Sequence, residues 1–133
     1  MRISLPNIPP LIAFGLVKKW LKTVCSHNVK DIVSLYSADA ILLGTIAKSI
    51  KVGKGEVSEY FEMFVEKKPC GEITSFNAQI LSPRVFVADG TYTFKLQNQK
   101  GQTDEVFGRY TFVFKEDSGV WKIKTHHSSE QPI

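Results

Sequence analysis

The sequence predicts one α+β domain in which three helices pack on a curved antiparallel sheet. The chain has 133 residues, of which 43% are hydrophobic and 23% are charged, and this suits a single globular domain. Apolar residues at helical spacing occur only in the first half of the chain. After Gly71 the pattern is that of strands, and helices segregated from strands are typical of an α+β fold.

Three helices are predicted from the spacing of apolar residues. A four-residue recurrence predicts a helix over residues 11–26, and the same periodicity predicts a shorter one over residues 29–36 with Asn28 as its N-cap. A third apolar stripe lies between the turns at residues 53–55 and 69–71, and we expect it to face the sheet interior. Its members are Val57, Tyr60, Phe61, Phe64 and Val65.

Six strands are predicted around and after the third helix. Two short strands precede the helix, and four longer strands follow it. Asp89-Gly90 interrupts one of the long strands and predicts a bulge there. The last two strands are joined by a turn at residues 117–119. The predicted strands cover residues 40–45, 48–52, 72–81, 85–96, 106–115 and 120–128.

Net charge does not point to a polyanionic partner. The chain carries +4, and residues 1–54 hold eight basic and two acidic side chains. The lysines are scattered where helices and strands would face solvent, so we expect no nucleic-acid partner. No stretch is long enough to span a bilayer, so we expect no membrane partner.

The N-terminal segment and the cysteines bear on localisation. Residues 1–17 resemble a signal peptide only in part, because prolines interrupt the apolar run and it continues into the first helix. We therefore interpret residues 1–10 as a lead-in to a single domain over residues 1–133. Two cysteines, Cys25 and Cys70, set no disulfide framework, so we expect free thiols in a reducing compartment and a cytoplasmic location.

The strand over residues 106–115 is apolar on both faces. One face carries Phe107 and Val113, and the other carries Tyr110, Phe112 and Phe114. Helices can cover only one face of a sheet, so the other face meets solvent or another chain. We therefore expect at least a dimer, with Tyr110, Phe112 and Phe114 on the outer face as its interface.

Arg109 lies in the middle of this strand, on the face that we interpret as buried. A buried guanidinium needs an acceptor. Three interpretations stay open from the residue types. Arg109 pairs with an internal acid such as Asp39 or Glu105, or it lies on an exposed outer face, or it lies in a pocket and binds an anionic ligand through two hydrogen bonds.

Two adjacent histidines, His126 and His127, lie on the last predicted strand. Successive strand residues point to opposite faces, so the pair cannot easily chelate one ion, and we expect no metal. Alternation from Trp121 and Ile123 places His127 inside and His126 outside. We predict that Arg109 and His127 point into one cavity. Its possible walls are Tyr36, Thr45 and Tyr92.

Three stretches resemble a known superfamily. Residues 35–45, 59–64 and 109–129 are similar to motifs of the cone-shaped, nuclear-transport-factor-2-like or polyketide-cyclase-like domains. Within that superfamily the chain most resembles the association domain of calcium/calmodulin-dependent protein kinase II and its free-standing bacterial relatives. The resemblance covers about residues 10–130.

The resemblance implies a cystatin-like fold, in which a conical pocket lies between a curved antiparallel sheet and three helices. It also implies homo-oligomers formed through the sheet. Arg109 matches an arginine of the family's penultimate strand, and His127 matches the last histidine of its closing motif. Thr125 replaces the first histidine of that motif, and Gly44 replaces a common proline.

Three functions are compatible with these observations. We favour an oligomeric small-molecule-binding or association domain that takes a small carboxylate or polar metabolite and needs no cofactor. The alternative is an isomerase, dehydratase or cyclase, which needs a pocket carboxylate beside a histidine or tyrosine, and Asp39 and Glu105 are the candidate carboxylates. The third is an assembly module without a working pocket. No catalytic residue is assigned, and without a kinase domain we expect no kinase activity.

Overall fold

The computed structural model describes residues 10–133, so the predicted lead-in lies outside the described residues except for Pro10. The three predicted helices and six predicted strands are present in the predicted order. The helices are α1 (Pro10–Cys25), α2 (Val29–Val33) and α3 (Gly53–Phe64), the last followed by a 3-10 turn (Val65–Lys67). The strands are β1 (Tyr36–Leu43), β2 (Lys51–Val52), β3 (Cys70–Ser82), β4 (Val85–Gln97), β5 (Thr103–Asp117) and β6 (Val120–Glu130).

The strands form one curled, unclosed sheet in the order β2-β1-β6-β5-β4-β3. The α+β prediction is confirmed, with one departure from a purely antiparallel sheet. β1 and β6 pair in parallel, whereas every other neighbouring pair is antiparallel. The chain enters the sheet earlier than predicted, because the Ile123 N–H donates to the Leu35 carbonyl at 2.9 Å. For this reason α2 ends at Val33 and Tyr36 begins β1.

The helices bury their apolar stripes against one face of the sheet. Four members of the predicted α3 stripe, Val57, Tyr60, Phe61 and Phe64, are buried, and Val65 is half-buried. Asn28 caps α2 as predicted, because its side-chain oxygen accepts from the backbone N–H of Asp31 at 3.0 Å.

The buried face of β5 is the opposite of the predicted one. Tyr110, Phe112 and Phe114 are 2%, 0% and 3% exposed, so they belong to the protomer's core and are not an outer interface. The three large rings pack under the helices because that face buries more apolar surface. Phe107 is 53% exposed on the other face, which makes this the outer face of the sheet.

The predicted bulge lies on the partner strand. β4 pairs with β5 without a register shift, whereas β3 carries extra residues at Thr74 and Leu81. Gly90 serves a different purpose. A Cβ atom there would lie 2.1 Å from the Ser75 carbonyl oxygen, so glycine is required for the close approach of β3.

The prediction of free thiols is wrong. Cys25 at the end of α1 and Cys70 at the start of β3 form a disulfide across 45 residues of sequence. The two segments also meet at His27, whose Nε2 lies 2.9 Å from the Pro69 carbonyl oxygen. The fold therefore brings together two cysteines that the sequence spacing leaves unrelated.

Candidate functional site

A cavity of about 130 Å³ lies between the helices and the inner face of the sheet. Its walls are mainly aromatic and aliphatic, with a few polar groups, and this is the usual composition of a small-molecule site. The lining residues are Trp20, Leu42, Gly44, Thr45, Ile46, Tyr60, Phe61, Phe64, Tyr92, Phe94, Leu96, Val106, Gly108, His126, Ser128 and Glu130.

His126 is the most deeply buried polar residue of the cavity wall, with 2% of its surface exposed. Its ring stacks on Phe112 at a centroid distance of 3.9 Å and meets the edge of Trp20 at 5.0 Å. Burial, together with the smaller effect of neighbouring His127, lowers the pKa of His126 to about 3. The imidazole is therefore neutral near pH 7.

A buried hydrogen-bond chain holds one edge of this imidazole. The Trp20 Nε1–H donates to the Tyr36 hydroxyl at 3.0 Å, and that hydroxyl lies 2.9 Å from Nδ1 of His126. Tyr36 is completely buried, and desolvation raises the pKa of its phenol well above the usual value. The other ring nitrogen, Nε2, is buried and has no hydrogen-bond partner.

The structure exchanges the predicted positions of the two histidines. Val113 pairs with Thr125 and Phe114 pairs with Ile123, so Lys124 is an extra residue in β6. This bulge inverts the alternation of side chains beyond it. His126 consequently points inward beside Phe112, and His127 is exposed on the outer face.

Arg109 does not reach the cavity. It lies on the exposed face of β5, where its Nε donates to the Ser129 hydroxyl at 3.3 Å. It contacts neither of the two acids considered as internal partners. Asp39 instead forms an exposed ion pair with Lys124 at 2.7 Å, and Glu105 is exposed on β5. The predicted anion pocket of Arg109 and His127 is therefore wrong.

The other predicted wall residues lie at or next to the cavity. Thr45 and Tyr92 line it, and Tyr36 lies behind His126. Ser128 links Thr45 to Tyr92. Its hydroxyl accepts from the Thr45 hydroxyl at 2.8 Å and shares a short hydrogen bond with the Tyr92 hydroxyl. One hydroxyl hydrogen of the Tyr92 and Ser128 pair is left free, so this cluster can donate to a ligand.

Gly44 shapes the cavity wall next to Thr45. A Cβ atom at Gly44 would lie 2.3 Å from Cε1 of Tyr60, so a side chain there would displace the Tyr60 ring. Tyr60 lines the cavity, and burial raises the pKa of its phenol to about 12. The departure from the proline expected at this position therefore makes room for an aromatic wall.

Charge is scarce at the cavity. Among the described lining residues, Glu130 is the one charged side chain, and it is exposed. Residues 10–133 contain no group of three or more histidine, cysteine, aspartate or glutamate side chains that could hold a metal ion. In the same part of the chain, no helix has the length and apolar character needed to cross a membrane.

Trp20, His126 and Ser128 are site residues that sequence reasoning missed. A signal existed for Trp20, because a tryptophan on an apolar helix stripe needs an acceptor for its N–H when buried. The position of His126 depends on a one-residue bulge, which the alternation of residues 120–128 does not reveal. Ser128 follows from the same bulge, because it lies two residues further along the inner face.

A curled six-stranded sheet with three helices over an apolar cavity defines the cystatin-like, nuclear-transport-factor-2-like class of α+β domains. The sequence profile of the calcium/calmodulin-dependent protein kinase II association domain matches residues 13–132. The chain belongs to this family, and the resemblance at residues 35–45, 59–64 and 109–129 is confirmed.

One solved structure supports the same family, and two others support the fold. A calcium/calmodulin-dependent protein kinase II association domain from Xanthomonas campestris is 32% identical with a TM-score of 0.88, covering 98% of this chain and 94% of that one. A ketosteroid isomerase-like protein from Erwinia carotovora atroseptica is 15% identical with a TM-score of 0.80, covering 96% and 99%. A kinase II hub homology domain from Chlamydomonas reinhardtii is 14% identical with a TM-score of 0.74, covering 90% and 96%. No curated protein matches this chain.

Proposed function

We propose that this protein is a homo-oligomeric association domain in which each protomer binds a small molecule in the cavity beside His126. One observation carries the binding part of the proposal. Aromatic rings wall the cavity, and the hydroxyls of Tyr92 and Ser128 on the same wall leave one hydrogen without an acceptor. A bound ligand with an acceptor group would take that hydrogen bond.

The outer face of the sheet supports self-association. Phe107 is 53% exposed there, and Val113 of β5 pairs with Val87 of β4 on the same face. Because the helices cover the other face, a second copy would remove these apolar side chains from water. The interface that we propose therefore uses Phe107, Val113 and Val87 in place of the buried rings predicted from sequence.

Binding is better supported than catalysis. Asp39 and Glu105, the carboxylates considered for proton transfer, lie outside the cavity. A histidine with a pKa of about 3 is also a weak general base near pH 7, because it holds a proton poorly. We therefore do not propose that this cavity catalyses an isomerase, dehydratase or cyclase reaction.

The cytoplasmic location stays a prediction, and one finding opposes it. It depended partly on free thiols, whereas Cys25 and Cys70 are joined. Disulfides persist mainly in oxidising compartments. The location is therefore best decided by measuring the oxidation state of these cysteines in the native cell.

The binding proposal is tested by thermal-shift screening of small neutral, cationic and anionic molecules. The wild type is compared with Val106→Trp, which places a large ring at the cavity wall, and with Val120→Trp, which changes an exposed residue elsewhere. We expect compounds that stabilise the wild type and Val120→Trp but not Val106→Trp. Failure of every compound, or equal stabilisation of all three proteins, would contradict the proposed function.

A further inference from the structure

Three inner-face residues of β6 run from the core to the mouth of the cavity. His126, Ser128 and Glu130 alternate with outward-facing residues along the strand, and all three line the cavity. Exposure increases in the same order, because His126 is buried, Ser128 is half-buried and Glu130 is exposed. Glu130 therefore marks the end at which the cavity opens to solvent.

Glu130 gives the cavity its charge. The ion pairs of the described residues involve the carboxylates of Glu116 and Asp39, and not that of Glu130. No lysine or arginine is among the described lining residues, and burial keeps the imidazole of His126 uncharged near pH 7. The cavity therefore carries one formal negative charge. A cleft with low-dielectric walls and charge of one sign attracts ions of the opposite sign.

An aromatic ring lies next to the position of Glu130. Glu130 pairs with Gly108 of β5, and directly opposed residues of an antiparallel pair lie on the same face, roughly 5 Å apart. A Cβ atom at Gly108 would lie 2.7 Å from Cε1 of Tyr92, so the Tyr92 ring covers this glycine. A cation at Glu130 would therefore have a carboxylate and a tyrosine ring as neighbours, and aromatic rings attract cations.

The hydroxyls of Thr45, Ser128 and Tyr92 provide a second anchor, because one of their hydrogens has no acceptor. Ser128 and Glu130 are two residues apart, which is roughly 7 Å of strand. The cavity has a volume of about 130 Å³, and in another protein an apolar cavity of roughly 150 Å³ takes up benzene. One six-membered ring with a short substituent therefore reaches from the hydroxyls to the carboxylate.

We propose that the cavity binds a small organic cation, a protonated amine whose ammonium group pairs with Glu130 at the mouth. Its ring lies inside the cavity and carries an oxygen that accepts the free hydroxyl hydrogen of the Tyr92 and Ser128 pair. The inference rests on the proposed function, because it names the ligand class of the same cavity. It reverses the ligand charge predicted from Arg109, which is exposed outside the cavity.

Three cyclic ethers that differ in charge test the proposal by titration calorimetry on the full-length protein. The probes are tetrahydropyrans substituted opposite the ring oxygen with an aminomethyl, a hydroxymethyl or a carboxylate group. We expect the wild type to bind the amine about threefold tighter than the alcohol, because an exposed ion pair contributes modestly. We expect binding at least about tenfold tighter than that of the carboxylate, which would lose its hydration and face Glu130.

Two variants separate the role of Glu130 from a general effect of surface charge. Glu130→Gln removes the charge at an exposed position, and it should bind the amine and the alcohol equally. Glu105→Gln removes an exposed carboxylate on β5 that does not line the cavity, and it should keep the preference of the wild type for the amine. Added salt should weaken that preference in the wild type, because salt screens an exposed ion pair.

The outcomes distinguish this inference from the proposed function. Equal affinity of the wild type for amine and alcohol, tightest binding of the carboxylate, or an unchanged preference in Glu130→Gln overturns the inference. Binding that Val106→Trp abolishes but that shows no preference for the amine overturns this inference alone, and the proposed function then stands. No binding of any of the three probes also overturns the inference, whereas the wider thermal-shift screen decides the proposed function.

Discussion

The hydroxyl of Tyr36 lies 2.9 Å from Nδ1 of His126, and this contact joins the first long strand of the chain to the last. Tyr36 begins β1 and His126 lies on β6, and the two strands are parallel neighbours in the sheet. Because Trp20 of α1 donates to the same hydroxyl, the helix layer and both strands fix the orientation of one imidazole. The cavity histidine is therefore held in place by the core itself.

Stability should fall as the pH is lowered from about 6.5 because His126 is buried and neutral. Burial lowers the pKa of His126 to about 3 in the folded protein, whereas an unfolded histidine titrates near 6.5. The unfolded state therefore binds this proton first. The stability that neutral His126 provides is fully present above about pH 6.5 and is lost toward pH 3, by at most about 1.4 kcal/mol per pH unit.

Urea denaturation of wild type, His126→Phe and His127→Gln between pH 7.5 and 5 measures this contribution. His126→Phe should show a shallower pH dependence than the wild type, and His127→Gln should keep the wild-type slope. The slope is the readout, because His126→Phe also leaves the Tyr36 hydroxyl without its acceptor. Equal slopes for wild type and His126→Phe would show that His126 is not buried in its neutral form.

Reducing the Cys25–Cys70 disulfide should destabilise the protein. The bond closes a loop across 45 residues and ties the end of α1 to the start of β3. A crosslink of this kind restricts the unfolded chain, and losing it costs about 2–4 kcal/mol. Dithiothreitol should therefore lower the urea midpoint of the wild type but not that of the Cys25→Ala, Cys70→Ala double variant.

A thiol count made without reductant checks the same bond independently. Protein denatured without reductant should contain no thiol that reacts with the reagent, because the chain contains two cysteines and both are in the disulfide. Two reactive thiols per chain would show that the cysteines are free, as the sequence spacing alone predicted.

The α3 stripe should carry a large share of core stability. Phe61 is 1% exposed and packs against Tyr36 and Tyr60 at centroid distances of 5.7 and 5.1 Å. Phe61→Ala should cost about 3–5 kcal/mol in free energy of unfolding. Met63 on the same helix is 42% exposed, so Met63→Ala provides a matched control with an effect below about 1 kcal/mol. Similar losses for the two variants would contradict the burial of this stripe.

Self-association should depend on the outer face of the sheet. Light scattering at micromolar concentration should give at least a dimer for the wild type. Val113→Glu should shift the protein toward monomer, because a carboxylate at the interface would lose its hydration. Leu11→Glu, at a residue 78% exposed on α1, should leave the assembly intact. A monomeric wild type, or equal assembly of both variants, would contradict the proposed interface.

The sequence predicted the fold well because apolar periodicity is a local property. Residues close together in the chain determine the α3 stripe, the Asn28 cap and the turn at Ser118 and Gly119. Both of these turn residues have positive φ. The site was predicted less well because its residues depend on register. The extra residue at Lys124 in β6 exchanges the inward and outward positions of His126 and His127, and no local sequence pattern predicts this bulge.

Two other errors also come from long-range relationships. The predicted buried face of β5 is wrong because both faces of the strand are apolar, and alternation alone does not show which face the helices cover. The three large rings and Gly108 share the face that is buried. At Gly108 a Cβ atom would lie 2.7 Å from Cε1 of Tyr92, which shows that this face packs closely. The disulfide was missed because only the tertiary fold brings Cys25 to Cys70.

The central claim is that His126 is buried in its neutral form with Nδ1 accepting from the Tyr36 hydroxyl, and histidine ¹⁵N NMR of the wild type tests it most directly. The His126 resonance is assigned by its absence from His126→Phe. We predict a protonated Nε2 and an unprotonated Nδ1 at pH 7, with the ring still neutral at pH 5. A proton on Nδ1 at pH 7, or a doubly protonated ring at pH 5, would contradict the account.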